Sequence, residues 1–128
     1  MDEQQRYAAG IEVRREVLGD THVDQALSHR SAFNQEFQEL ITRYAWGEIW
    51  SRPGLPRHTR SLVTLAMMIA LGRTEEFRLH LRAAARNQVT REEIKELLLQ
   101  SAVYCGVPAA NSAFRLAEQV FAEIDAGR

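Results

Sequence analysis

The sequence has few residues that cross-link a chain or interrupt its regular structure. Its 128 residues include one cysteine, three prolines and seven glycines. The single cysteine, Cys105, excludes an intrachain disulfide, a CxxC redox pair and a cysteine-rich zinc site, and it is compatible with a reducing compartment. The scarcity of proline and glycine favours long, uninterrupted elements.

Long hydrophobic runs are absent as well. The longest nearly apolar stretch, Leu62 to Leu71, is about half of the roughly 20 residues that a membrane span needs. The N-terminal residues MDEQQRYAAG are polar and lack the apolar region of a signal peptide. We therefore expect a cytoplasmic protein that does not enter a membrane.

A charge excess of either sign is also missing. Sixteen basic and 17 acidic side chains give a net charge of −1, so no overall field attracts nucleic acid or anionic lipid. Hydrophobic residues make up 45% and charged residues 26%, which are ordinary globular proportions. The length predicts one domain, residues 1–128.

Apolar residues recur at spacings of three and four, which predicts an all-α, single-domain helical bundle with no strand. The expected helices cover 2–18, a short turn at 22–27, Ser31 to about Trp46, Pro56 to Leu71, a helix capped by Thr74 that runs to about Arg86, a helix capped by Thr90, and a last helix after Gly106 and Pro108. Within the first helix Gly10 is a weak point that costs about 1 kcal/mol relative to alanine.

Three helix faces and one helix start carry specific predictions. The apolar face of the helix after the Ser31 cap is Phe33, Phe37, Leu40, Ile41 and Tyr44. The helix through 62–71 is apolar on all sides, which predicts a central helix covered by other helices or by another subunit. Thr90 and Glu93 form a capping box, the most secure boundary in the chain. The inner face of the last helix is Ala110, Ala113, Phe114, Ala117, Val120, Phe121 and Ile124.

One segment has an unbalanced charge. From Ile49 to Thr74 there is no Asp or Glu, and the basic groups are Arg52, Arg57, His58, Arg60 and Arg73. Arg57, His58 and Arg60 fall in the first turn of a helix, where the helix dipole favours acidic side chains instead. Arginines beside the free N–H groups of a helix N-terminus suit an anion, especially a carboxylate.

Two interpretations of this basic segment remain open at this point. The segment is either an anion site or a solvated basic face. In the second case its arginines pair with Glu48, Glu75 or Glu76 of neighbouring helices.

Other side chains with reactive or pocket-forming groups are His80 and two tryptophans. His80 follows Glu76 by four residues, so the two share a helix face, but they are only half of a metal set and no HExxH motif accompanies them. We therefore expect no metal site.

Trp46 and Trp50 flank Glu48 just before the basic segment, where they either line a pocket or belong to the core. Cys105 is expected to pack as a small hydrophobic residue.

Longer stretches of the sequence resemble a known family. These are WGEIWSRPGLPRHTRSL (46–62), TLAMMIALGR (64–73), LHLRAA (79–84), VTREEIKELLLQ (89–100) and YCGVPAANSAF (104–114). In unbroken order, together with the opening QQRYAAGIEVRREVLGD, they resemble the carboxymuconolactone decarboxylase family. The resemblance implies an alkylhydroperoxidase-like helical bundle and a hexameric, ring-like homo-oligomer.

The wider superfamily includes disulfide reductases with a CxxC followed four residues later by histidine. Here the corresponding segment is Arg73-Thr74-Glu75-Glu76, with His80 at the place of the histidine. Because both cysteines are missing, the thiol chemistry is not implied for this chain. Gln88 also departs from relatives that have glycine after the asparagine, which affects the turn geometry.

The resemblance implies that a small dicarboxylate lactone, 4-carboxymuconolactone, loses CO2 to give 3-oxoadipate enol-lactone in the protocatechuate branch of aromatic catabolism. No cofactor is needed, since the lactone itself accepts the released electrons.

The residue roles that the resemblance implies fall into three groups. Carboxylates are held by Arg57, Arg60 and either Arg52 or Arg73, beside Trp46 and Trp50. The proton comes from His80, and His58 or helix N–H groups stabilise the oxyanion. Glu48 or Glu76 orients a histidine. The alternative is a noncatalytic helical module that binds a small acid or a partner.

Overall fold

The computed structural model describes all 128 residues. All of its regular elements are helices, which confirms the all-α prediction. The elements are α1 (Glu3–Leu18), α2 (Asp20–Ser28), α3 (Gln35–Ile41), a π-helical segment (Thr42–Ile49), α4 (Arg57–Leu71), α5 (Thr74–Arg86), α6 (Arg91–Tyr104) and α7 (Val107–Asp125). None of these helices has the length and apolarity that crossing a membrane requires.

The chain divides into two compact units, Met1–Arg57 and His58–Arg128. The first contains α1, α2, α3 and the π-helical segment. The second contains α4 beyond its first residue and α5 to α7. That residues 1–128 behave as one domain stays a prediction.

In the first unit α1 approaches the π-helical segment closely. A Cβ atom at Gly10 would lie 2.0 Å from the backbone oxygen of Thr42, and one at Gly47 would lie 2.6 Å from the backbone oxygen of Arg6. Both distances are far below a van der Waals contact, so glycine is required on each side. The sequence predicted Gly10 only as a weak point of the helix, whereas the structure gives it a packing role.

A buried cation links the same two elements. Arg14 is 4% exposed and donates from Nη1 to Thr42 Oγ1 and Gln38 Oε1, both at 3.2 Å. None of its bonds goes to a carboxylate, and burial lowers the pKa of the guanidinium. Arg14 also contributes to lowering the pKa of the half-buried His22, although desolvation of the imidazole is the larger cause.

The helix around residues 31–46 differs from its prediction. Asn34 is the N-cap instead of Ser31, whose hydroxyl accepts a hydrogen bond from Asn34 N at 3.3 Å in the preceding turn. Beyond Ile41 the helix widens into the π-helical segment and ends at Ile49 instead of about Trp46. The predicted apolar face is largely uncovered in the single chain, with Phe33 98% exposed. The second helix covers 20–28 instead of 22–27.

In the second unit the four helices share one apolar core. The buried residues include Leu65 and Ile69 of α4, Phe77 and Leu81 of α5, Ile94 and Leu98 of α6, and Ala113, Ala117 and Val120 of α7. The predicted inner face of α7 is confirmed, since Ala110 is buried and the remaining residues Phe114, Phe121 and Ile124 pack against this core. The prediction that α4 is covered on every side by other helices or by another subunit stays a prediction, because within one chain Val63, Met67 and Leu71 are exposed.

Helix boundaries in this unit follow local signals in most places. The Thr90–Glu93 capping box is confirmed. Thr74 is the first residue of α5 and makes no cap, so its predicted role is wrong and Arg73 takes the N-cap position. Gln88 has a left-handed backbone, φ 68°, immediately after Asn87 ends α5. This is the conformation that glycine would adopt without strain.

Candidate active site

The basic segment places its cations at the start of α4. This helix begins at Arg57 and has no acidic residue in its first turn. The N–H groups of this turn and the helix dipole therefore add to the positive charge of Arg57 and Arg60. The electrostatics of this turn favour an anion.

Two arginines of the segment make ion pairs within the first unit. Arg57 pairs with Glu16 of α1, and both side chains remain partly exposed. Arg52 Nη1 lies 3.9 Å from Glu48 Oε1. Exposed pairs of this kind contribute about 0 to 1 kcal/mol, so neither pair fixes its arginine firmly.

His58 has a carboxylate partner in the second unit. Its Nε2 lies 2.8 Å from Glu93 Oε2. The other oxygen, Oε1, accepts hydrogen bonds from Thr90 N at 2.9 Å and from Thr90 Oγ1 at 3.1 Å. The bond from the backbone of Thr90, followed by that from His58, lowers the pKa of the Glu93 carboxyl. Glu93 is therefore held as a carboxylate, which only accepts hydrogen bonds, so His58 Nε2 carries a proton.

The remaining predicted residues are distributed over both units. In the first, Trp46 is buried and stacks on Trp50 with ring centroids 5.2 Å apart, and Glu48 receives a hydrogen bond from Arg6. In the second, Glu76 and Arg73 are exposed, whereas Arg60 and His80 are half-buried. The structure thus joins Trp46 to Trp50 and Glu48 to Arg52. It gives His58 a partner, Glu93, that was not among the predicted site residues.

Two cavities lie in the second unit, and their charges differ. A groove of about 630 Å³ between α4 and α6 has a mainly apolar lining, and Glu92, Glu93 and Glu96 are among its lining residues. A smaller cavity of about 190 Å³ is formed by the end of α4, the start of α5 and the start of α7, and Arg73 is its only charged side chain. The larger groove therefore carries carboxylates, and the smaller cavity carries one cation.

Metal ligands and thiols are not clustered in the structure. No group of three or more His, Cys, Asp or Glu side chains is arranged to hold a metal ion. Cys105 is a half-buried free thiol beside the larger groove.

Comparison with known proteins identifies the family. The sequence profile of the carboxymuconolactone decarboxylase family matches residues 35–119. The chain belongs to this family. It is 56% identical to the 4-carboxymuconolactone decarboxylase of Acinetobacter baylyi over 124 residues, which are 97% of this chain and 92% of that protein. A 4-carboxymuconolactone decarboxylase sequence from Pseudomonas putida is 62% identical over 48 residues, 38% of this chain and all of that sequence.

A further relative in the comparison bears a different name. The nitrosuccinic acid decarboxylase of Metarhizium robertsii is 49% identical over 100 residues, 78% of this chain and 70% of that protein. The region matched by the carboxymuconolactone decarboxylase family profile contains every candidate site residue predicted from the sequence.

Sequence reasoning missed two partners of the basic segment. Glu93 was predicted only as a capping residue, and Glu16 was not singled out at all. Neither contact has a local signal, because the paired residues are 35 positions apart for His58 and Glu93 and 41 apart for Arg57 and Glu16.

Proposed function

We propose that this chain catalyses the decarboxylation of 4-carboxymuconolactone to 3-oxoadipate enol-lactone, a step of the protocatechuate branch of the β-ketoadipate pathway. The observation that carries the proposal is the 56% identity to the Acinetobacter baylyi protein of that name, which extends over nearly the whole of both chains. The chain is accordingly a carboxy-lyase that takes a small-molecule substrate.

The chemistry of this substrate defines what the protein supplies. The departing carboxylate is on a ring carbon conjugated through a C=C bond to the lactone carbonyl. When the bond to CO2 breaks, its electron pair moves onto the carbonyl oxygen as a furan-type enolate, and a proton then adds to the carbon beside that carbonyl. The enzyme must therefore bind two carboxylates, stabilise an oxyanion and donate one proton. Neither a metal nor an organic cofactor is required.

The start of α4 supplies charges of the sign that these tasks need. Arg57 and Arg60 bind substrate carboxylates, and Arg52, Arg73, Trp46 and Trp50 are further candidates for contact with the substrate. His80 is the proposed proton donor, and His58 or the N–H groups of α4 stabilise the oxyanion. The absence of carboxylates from Ile49 to Thr74 supports this assignment, since a dianion would be repelled by them.

One exposed face of α4 supports a proposal about self-association. Val63, Met67 and Leu71 form an exposed apolar row along α4. Such a row is usually covered in an oligomer, so we expect a homo-oligomer, a hexamer by family resemblance, in the cytoplasm. Light scattering that gives a stable monomer at micromolar concentration would contradict this expectation.

The first experiment is a spectrophotometric assay on freshly generated 4-carboxymuconolactone, with the enol-lactone product identified by mass spectrometry. We expect turnover that is unchanged by EDTA and dithiothreitol. Absence of turnover by the folded protein would refute the proposed function, and loss on chelation that added metal restores would refute the cofactor-free reaction.

The relative from Metarhizium robertsii favours 2-nitrosuccinate as a second substrate for the same assay. It is also a dicarboxylate, and loss of CO2 next to the nitro group places the electron pair on the nitro oxygens. The ratio of kcat/KM for the two substrates decides which one this chain prefers.

The role of Arg57 is tested by removing each partner of its ion pair. A charge-assisted hydrogen bond to a substrate carboxylate contributes about 1.5 to 3 kcal/mol, so Arg57→Ala should lower kcat/KM about 10- to 150-fold. Glu16→Ala breaks the same ion pair but leaves the cation, and it should change kcat/KM less than about threefold. Equal losses in both variants would indicate that the ion pair has only a structural role.

A further inference from the structure

We infer that Glu93 is a positioning residue for the reaction: it binds Nε2 of the His58 imidazole, so that Nδ1–H is the group that stabilises the oxyanion. This inference rests on the proposed function and adds a residue that the family resemblance did not supply.

The geometry of Glu93 constrains the ring of His58. Glu93 Oε2 lies 2.8 Å from His58 Nε2, and two bonds from Thr90 hold Oε1 on the opposite side of the carboxylate. The carboxylate is therefore anchored to the N-terminus of α6 before it meets the imidazole. A side chain held at both oxygens has little freedom to rotate, and the ring it binds is fixed in turn.

The hydrogen-bond roles determine which nitrogen is active. A carboxylate only accepts, so Nε2 stays protonated whether the imidazole is neutral or charged. Nδ1 is then the nitrogen that gains or loses the proton. In the charged form Nδ1–H donates a hydrogen bond to the developing enolate, while the proton that adds to carbon comes from His80. The proton count balances, since one proton replaces the departing CO2.

A ligand can reach the His58–Glu93 pair, because neither side chain is fully buried. The side chains of His58 and Glu93 are 33% and 39% exposed. His58 also adjoins Arg57 at the start of α4, the residue we propose for carboxylate binding.

The capping box makes a clean test possible. Glu93→Gln keeps the cap, because glutamine serves at the same position of a capping box, but it replaces the carboxylate that holds His58. Thr90→Ala removes the cap and keeps the carboxylate. We expect E93Q to lower kcat about 10- to 100-fold with little change in KM and in the melting temperature. T90A should lower the melting temperature but lower kcat much less than E93Q does, because the backbone N–H of residue 90 still binds Glu93 Oε1.

A second readout does not depend on turnover. The Nε2–H proton of His58, assigned in the NMR spectrum by its loss in His58→Gln, should resonate downfield in the wild type and T90A and move upfield in E93Q. An E93Q variant whose kcat equals that of the wild type would overturn the inference, whether or not its melting temperature is lower. A wild-type enzyme that does not turn over the lactone would overturn the proposed function instead, while the NMR comparison still decides whether Glu93 orients the ring.

Discussion

Replacing Gly10 by alanine sets two physical effects against each other. In an exposed helix interior this change stabilises the helix by about 1 kcal/mol, because glycine loses more conformational freedom on folding. At Gly10 the new Cβ atom would meet the backbone oxygen of Thr42 at 2.0 Å and the backbone carbon of the same residue at 2.9 Å. These are backbone atoms that cannot rotate away, so α1 or the π-helical segment has to move by about an ångström.

The net effect should be a loss of stability. Overpacking costs about 1 to 3 kcal/mol, and a clash with backbone on a helix crossing belongs at the upper end of that range. After the gain in helix propensity is subtracted, we expect about 2 kcal/mol of destabilisation. At roughly 4 °C per kcal/mol for a chain of this length, the melting temperature falls by about 8 °C.

The assay is urea and thermal unfolding followed by far-UV circular dichroism, with two controls. Gly54→Ala is the matched control, because a Cβ atom there has nothing within 4 Å, and it should stay within about 0.5 kcal/mol of the wild type. Ala8→Gly, at an exposed site of α1, measures helix propensity alone. A melting temperature of Gly10→Ala equal to or above that of the wild type would refute the close crossing.

Three further predictions concern pH, backbone strain and the thiol. Burial and the charge of Arg14 lower the pKa of His22 in the folded chain. Below about pH 6.5 the imidazole is therefore protonated more readily in the unfolded chain than in the folded chain, and the free energy of unfolding decreases as the pH falls. His22→Gln should reduce this loss in urea titrations between pH 7 and 5, and an unchanged slope would argue against it. Gln88→Gly relieves a left-handed backbone and should stabilise by roughly 0.5 kcal/mol, whereas a lower melting temperature would contradict this reasoning. Cys105→Ala should keep kcat within about threefold, and a loss as large as that of E93Q would assign the thiol a role in the reaction.

Local sequence signals predicted the parts of the fold that depend on neighbours along the chain. The Thr90–Glu93 box involves residues three positions apart, and the inner face of α7 follows from spacing alone. Thr74 was misplaced by one residue as a cap, because a threonine in the first turn and one at the N-cap have the same sequence signature.

The parts that escaped prediction depend on distant contacts. The π-helical segment was predicted as the end of an ordinary helix, and it lies where Gly10 and Gly47 bring α1 against it. The exposed faces of Phe33 and Phe37 showed the expected helical spacing, but spacing alone does not reveal what covers them. For the candidate site, the positive charge was visible in the sequence. The acidic partners of Arg57 and His58 were not, since they come from other helices.

The stacked tryptophans provide an intrinsic fluorescence reporter for one half of the chain. Both tryptophans, Trp46 and Trp50, belong to the Met1–Arg57 unit, and the His58–Arg128 unit has none. Indole emission therefore follows the melting of the N-terminal unit, while far-UV circular dichroism follows the helices of both units. If the two signals change at the same urea concentration, the units unfold together as one cooperative domain. Separate midpoints would give each unit its own stability and would show on which side of residue 57 a substitution acts.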